Sequence, residues 1–129
     1  MKEYPLPQGV SPARGYSHVV VASGTTVYVA GQIALDANGK IVGNDIKSQA
    51  QQVMLNVRAA LTSAGASFAD VVKMTTYVVD LDDAKLAAIR EVRKGFLPPA
   101  GPPASTLVGV TRLAMEGLLI EVEVIAVID

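Results

Sequence analysis

Apolar residues alternate with other residues along the last stretch of the chain, from Gly117 to Ile128. In an extended chain, alternate residues point to opposite faces. One face of this stretch carries Glu121 and Glu123, and the other is wholly apolar, with Leu118, Ile120, Val122, Val124, Ala126 and Ile128. The β-branched residues and the period of two predict a strand, and the length of the stretch suits a position in the middle of a sheet. Because a carboxylate among apolar residues is costly to desolvate, each glutamate needs water, a partner or a chemical role.

Two other segments repeat their apolar residues at helical spacing. The first helix is predicted to begin at Asn44-Asp45, either of which can cap it, and to end at Gly65. The second is predicted to begin at Asp82-Asp83 and to stop at Pro98-Pro99. The inward positions are Ile46, Ala50, Val53, Val57, Ala60 and Ala64 in the first helix, and Leu86, Ile89, Val92 or Arg93, and Phe96 in the second.

The remaining patterns predict an extended arm over residues 1–15 and four further strands, at 16–22, 26–30, 70–80 and 104–110. Ser23-Gly24 would join the first two strands as a hairpin turn. One face of strand 70–80 would carry Val72, Met74, Thr76 and Val78. The order β-β-α-β-α-β-β predicts an α+β two-layer sandwich, a mixed sheet with two helices on one face.

Two helices cover only one face of such a sheet. The other face carries Leu119, Ile125 and Val127 beside the two glutamates. A large apolar surface does not normally stay in contact with water. The pattern therefore predicts that this face is buried against other copies of the chain, without indicating how many.

The composition narrows the class of protein. A length of 129 residues predicts a single domain over residues 1–129. The net charge of −1 argues against a nucleic-acid partner, and no stretch is apolar for long enough to make a membrane a partner. The absence of cysteine excludes a disulfide framework and a cysteine-ligated metal. With no signal-peptide pattern at the amino terminus, a cytoplasmic protein is predicted.

Seven short pieces, in this order and at these spacings, resemble the RidA (YjgF-type) family of small trimeric proteins. They are GYSHVV at 15–20, VAGQI at 29–33, QAQQVML at 49–55, VVKMT at 71–75, VDLDD at 79–83, Pro103-Ala104 with Thr106, and IEVEVIA at 120–126. The resemblance implies a chorismate-mutase-like fold and a homotrimer with three clefts between subunits. It also implies hydrolysis of enamines and imines, such as 2-aminoacrylate, to a 2-keto acid and ammonia, without a metal or other cofactor.

The resemblance also implies which residues form the site. In active relatives an arginine just after Pro-Ala binds the substrate carboxylate, and here that position is Ser105, whose hydroxyl cannot replace a guanidinium. Ala88 stands where the family has an asparagine, and Ala30 where a small hydroxyl residue precedes the Gly-Gln pair. The predicted catalytic residues are Glu121, which would position water or relay protons, and Tyr16. The predicted substrate-binding residues are Ser105, Arg14, Ala30, Gly31 and Ala88.

Each candidate has a structural alternative. Glu121 is either a general base in a cleft or a carboxylate hydrogen-bonded at a subunit interface. Tyr16 either binds a ligand or packs at the rim of the cleft. Arg14 and Arg112 either replace the missing guanidinium or are loop arginines in solvent. Glu123 is expected to be structural and to pair across the interface.

Three functions follow from these alternatives. The first is a diverged enamine or imine deaminase, or a related hydrolase, acting on a small metabolite. The second is a trimer that binds a small molecule without converting it. The third is a ribonuclease or translation inhibitor, labels that some relatives carry. The third is disfavoured because the chain has neither a basic stripe nor an aromatic stacking platform.

Overall fold

The computed structural model describes residues 1–129 and contains six strands and two α-helices, with a single 3-10 turn at Phe68–Asp70. The strands are β1 (Lys2–Glu3), β2 (Val21–Ala22), β3 (Thr25–Ile33), β4 (Val71–Val79), β5 (Ala104–Val110) and β6 (Ile120–Ile128). The helices are α1 (Ile46–Ser63) and α2 (Asp83–Lys94).

The main sheet has the strand order β3-β6-β4-β5. β4 and β5 are parallel, whereas β6 is antiparallel to both β3 and β4, so the sheet is mixed. Both helices pack on one face of it, which confirms the predicted α+β class and the mixed sheet with two helices on one face. β6 occupies an inner position between β3 and β4, as the length of its stretch predicts.

The core lies between α1 and the apolar face of β6. Val53, Val57 and Leu61 of α1 are fully buried, and so are Val122 and Val124 of β6 to within a few per cent. Burial of a side chain of this size stabilises a fold by about 1.5–3 kcal/mol. The helical spacing of α1 and the period of two in β6 therefore both contribute to the core, to which β3, β4 and α2 also supply buried side chains.

The ends of α1 are set by local chemistry. The Asp45 carboxylate accepts a hydrogen bond from the Ser48 N–H at 2.8 Å. The Ser48 side chain, and after it this backbone contact, lowers the pKa of Asp45. Gly65 follows the helix with φ of 74°, a left-handed conformation that glycine adopts without steric cost. Both predicted boundaries of this helix are confirmed.

The predicted strand at 16–22 and its hairpin are wrong. Only Val21–Ala22 of this range forms a strand, and it pairs with Lys2–Glu3 in the predicted arm, not with β3. Ser17 is held at the opposite edge of the sheet, where its N–H donates to the Pro103 carbonyl at 3.0 Å and its hydroxyl to the Pro102 carbonyl at 2.6 Å. These long-range contacts replace the local turn that Ser23-Gly24 suggested.

The predicted inward face of β4 is correct from Met74 onward and wrong at Val72. A register shift against β6 lies between Val71 and Lys73. Val71, Met74, Thr76 and Val78 are buried as a result, and Val72 is not. A bulge of this kind adds one residue and reverses the alternation beyond it.

The second helix ends at Lys94, four residues before the predicted stop. Ile89 and Val92 are buried, as predicted, and the neighbouring Arg93 also points inward toward β5. Phe96 lies beyond the helix but packs edge-on against Phe68, with ring centroids 5.7 Å apart. Both alternatives at positions 92 and 93 are thus inward-facing.

A buried glutamine fixes the start of β6. Gln49 of α1 is fully buried and donates to the carbonyls of Gly43 and Gly117, at 3.2 and 2.9 Å. Its own carbonyl accepts from the Leu119 N–H at 2.8 Å. Buried polar groups without hydrogen-bond partners are costly. Gln49 therefore provides partners for the backbone groups of these loops and positions the backbone two residues before Glu121.

The other face of the sheet has no helix. Tyr28 on β3 is 78% exposed there, while Ile125 and Val127 of β6 are half-buried beside Glu121 and Glu123. We call this surface the uncovered face; it is defined by these five residues. Neither helix has the length and apolar character needed to cross a membrane.

Candidate functional site

Glu121 and Glu123 lie in a shallow cavity of about 390 Å³ on the uncovered face, which Tyr77 and Arg112 also line. The Tyr77 hydroxyl donates to the Glu123 carboxylate at 2.5 Å, and this hydrogen bond raises the pKa of Tyr77. Glu123 therefore has a structural partner in its own chain, where the sequence suggested one across an interface. The half-buried Glu121 carboxylate accepts no hydrogen bond from the chain and is available to a ligand or water.

Gly31 makes room for the Glu121 side chain. A register shift between Val29 and Gln32 places Gly31 against β6, and a Cβ at residue 31 would lie 2.7 Å from the Glu121 Cδ. Any side chain here would therefore displace the carboxylate. Ala30, in the same irregular stretch, is exposed, and its carbonyl accepts a hydrogen bond from the Gln32 side chain at 3.0 Å.

We expect Gly31→Ala to move the Glu121 carboxylate without unfolding the protein. The atoms in conflict are at the far end of a flexible side chain, so the free energy of unfolding should change by less than about 1 kcal/mol. Chemical denaturation and a crystal structure of the variant test this. Gly95→Ala is the matched control, because the nearest atom to its added Cβ is 3.5 Å away. An unmoved Glu121 in the Gly31 variant would contradict the prediction.

A second cavity, which we call the α2 cavity, lies between α2, β5 and the loop before β2. It has a volume of about 590 Å³ and brings together Arg14, Tyr16 and Ser105 from the predicted site. Tyr16 is half-buried and packs edge-on against His18, with ring centroids 5.3 Å apart. The Ser105 hydroxyl accepts a hydrogen bond from Arg93 Nη2 at 3.1 Å.

The predicted residues fall into two groups within one chain. Tyr16, Arg14 and Ser105 line the α2 cavity, on the side of the sheet that carries the helices. Glu121 and Gly31 meet on the uncovered face, with Ala30 beside them. Ala88 is half-buried on α2 and lines neither cavity. No group of three or more acidic or histidine side chains is placed to hold a metal ion.

Sequence reasoning missed Arg93 as a site residue. It appeared only as an alternative to Val92 on the apolar side of the second helix. An arginine within an apolar stripe was the available signal, because such a residue needs a partner on the element that the stripe packs against. Ser105 on β5 is that partner.

Three comparisons with known proteins agree with this fold. The sequence model of the family described as Endoribonuclease L-PSP matches residues 7–128. A RutC family protein of Pyrococcus abyssi is 42% identical over 116 residues, covering 89% of this chain and 87% of that protein. The 2-iminobutanoate/2-iminopropanoate deaminase of Salmonella typhimurium is 37% identical over 106 residues, covering 81% of this chain and 80% of that protein.

The solved structures include a similar protein of the Rid family, YyfB from Yersinia pestis. Its crystal structure superposes with a TM-score of 0.91 at 42% sequence identity, covering 98% of each chain. The family match spans nearly the whole chain, the relative from Pyrococcus abyssi carries a RutC family name, and the structure from Yersinia pestis carries a Rid family name. The chain therefore belongs to the RidA (YjgF-type) family.

Proposed function

We propose that this protein hydrolyses an imine or enamine of a small metabolite, with Glu121 as the general base. The observation that carries the proposal is the half-buried Glu121 carboxylate, which has no partner in the chain and is given room by Gly31. A catalytic base needs such freedom, because a carboxylate already hydrogen-bonded in the structure accepts a proton less readily. The relative from Salmonella typhimurium, a 2-iminobutanoate/2-iminopropanoate deaminase, supports the same reaction class.

The proposed reaction needs only water and proton transfers. An enamine first tautomerises to the imine. The imine nitrogen takes up a proton from solvent, and a water molecule gives a proton to Glu121 as its oxygen bonds to the imine carbon, which produces a neutral carbinolamine. Glu121 then returns its proton to the nitrogen. The carbon–nitrogen bond breaks as the carbinolamine hydroxyl gives its own proton to Glu121, which releases it to solvent, and the products are a carbonyl compound and ammonia. One water is consumed for each imine, and no oxidant or reductant takes part.

The proposed assembly is a homotrimer whose subunits bury the uncovered face against one another, with residues 1–129 acting as one domain in each subunit. Tyr28, Ile125 and Val127 would lose their contact with water in this arrangement. Glu121 and Tyr16 lie on different sides of the sheet in one chain. A cleft between subunits would bring Glu121 of one subunit close to Tyr16 of the next. The cytoplasmic location expected from the sequence stays a prediction.

A second candidate is a trimer that binds a small metabolite without converting it. Ser105 favours this alternative, because the family's carboxylate-binding arginine is absent from that position. The two functions share their clefts and differ only in turnover. A binding protein would hold a 2-keto acid or a related ligand and leave imines to hydrolyse at their spontaneous rate.

Ammonia release separates the two candidates. A dehydratase that forms 2-iminopropanoate or 2-iminobutanoate in the assay supplies the short-lived substrate, and the rate is compared with spontaneous hydrolysis. We expect the wild-type protein to accelerate the release of ammonia and of the matching 2-keto acid in equal amounts. Binding of the 2-keto acid without any acceleration, across a panel that includes bulkier imines, would establish the second candidate instead.

A further inference from the structure

We propose that Arg93 supplies the anion-binding guanidinium of the α2 cavity, and that this cavity takes an organic carboxylate with a bulky apolar body. The inference rests on the proposed function for one point, the assignment of Tyr16 and Ser105 to the substrate site. It goes further by naming the residue that binds the carboxylate of the ligand and the kind of apolar group that the cavity accepts.

Arg93 is a partly buried cation with no partner among the ion pairs of the chain. Its guanidinium donates one hydrogen bond, to Ser105, and has four further N–H groups to offer. Burial lowers the pKa of Arg93, and the charge of nearby Arg90 lowers it further, yet a guanidinium stays protonated in a protein. The two ion pairs of the chain join Met1 to Asp129 and Glu91 to Lys94, so neither neutralises Arg93. A partly buried cation of this kind is stabilised by an anion.

Arg93 is paired with Ser105, which carries no charge of its own. An arginine at position 105 would place a second guanidinium against the first, and like charges in a partly buried site repel each other. Serine avoids this repulsion and accepts a hydrogen bond that holds Arg93 in place. The positive charge beside Ser105 therefore comes from Arg93 on α2, and β5 supplies the hydroxyl that orients the guanidinium.

The lining of the α2 cavity combines positive charge with apolar side chains. Arg14, Arg90 and Lys94 are exposed around it, and no aspartate or glutamate is among its lining residues. The apolar part of its wall is formed by Leu86, Leu97, Leu107 and prolines. A three-carbon acid would leave most of about 590 Å³ unfilled. The lining thus fits a carboxylate at Arg93 with a branched or aromatic body against the leucines.

Isothermal titration calorimetry with three ligands tests separately the contributions of the ligand's negative charge and of its apolar group. Phenylacetate has both features, phenylacetamide lacks the charge, and acetate lacks the body. We expect the wild-type protein to bind phenylacetate at least about tenfold more tightly than either of the others. Equal affinity for phenylacetate and phenylacetamide would overturn the inference, as would occur if a carboxylate of a neighbouring subunit already neutralised Arg93.

Variants then test the residue. Arg93→Met keeps an unbranched apolar stem and is expected to weaken phenylacetate binding about ten- to a hundredfold. Lys40→Met, in an exposed turn, removes one positive charge elsewhere and should leave binding unchanged. Should Arg93→Met fail to fold, Arg93→Lys keeps the charge but loses the planar fork, and it is expected to bind more weakly than wild type. Wild-type affinity in a folded Arg93 variant would refute the proposal.

The outcomes also separate this inference from the proposed function. Charge-selective binding that depends on Arg93, without release of ammonia from any imine, would retain the inference and reject hydrolysis. Release of ammonia with no preference for phenylacetate over phenylacetamide would retain hydrolysis and reject the role of Arg93.

Discussion

Replacing Glu121 with glutamine is expected to lower kcat/KM for imine hydrolysis by about two to four orders of magnitude. The amide has nearly the shape of the carboxylate, so it should occupy the same space beside Gly31. It cannot accept a proton from the attacking water, however, and the first step of the proposed reaction would lose its base. The measurement is the rate of ammonia release from 2-iminopropanoate at saturating and limiting substrate.

The matched control is Glu116→Gln, which makes the same change at an exposed position of the loop before β6. Its rate should equal that of the wild type. If Glu121→Gln retained the wild-type rate, the general base would have to be another group, and the argument from the free carboxylate would fail.

Replacing Ile125 with aspartate is expected to dissociate the proposed trimer or to unfold it. Ile125 lies on the uncovered face, and a trimer would bury three copies of the new charge in an apolar interface. An uncompensated buried charge costs about 3–5 kcal/mol, which is a large part of the stability of a typical domain. Sedimentation equilibrium at micromolar concentration measures the assembly, and circular dichroism reports whether the subunits remain folded.

Leu6→Asp is the control for this substitution, because Leu6 is 91% exposed on the amino-terminal arm. The same charge there should leave the sedimentation profile unchanged. A wild-type protein that sediments as a monomer would contradict the trimer, and so would an Ile125 variant that stays assembled.

The parts of the fold that were predictable are those whose signals are local. Asp45 and Gly65 bound α1 through contacts within a few residues, and the alternation in β6 requires only that one face be buried. The hairpin at Ser23-Gly24 was wrong because Ser17 is bound at the far edge of the sheet, to carbonyls about eighty-five residues away. Val72 was misplaced because a bulge depends on the partner strand and leaves no mark in the period of its own strand.

The residues of the candidate site were predictable, as the local elements of the fold were, but their arrangement in space was not. Tyr16, Arg14 and Ser105 do share a cavity, and Glu121 and Gly31 do meet, but each group lies on its own side of the sheet. The resemblance supplied these residues as one set and did not indicate which of them a single chain brings together. The contact between Arg93 and Ser105 joins a helix to a strand, and a one-dimensional pattern marks only that Arg93 lies on the inner side.

The position of β6 in the sheet also has a consequence for the order of folding. This strand comes after all the others in the sequence, yet it lies between β3 and β4, and Thr25 pairs with Ile128 across nearly the whole length of the chain. During synthesis, β3 and β4 therefore have no partner at the edges that they later share with β6. Open strand edges of this kind can pair with other chains, and contacts so distant in sequence form slowly. The nascent chain is thus most exposed to aggregation just before its central strand is made.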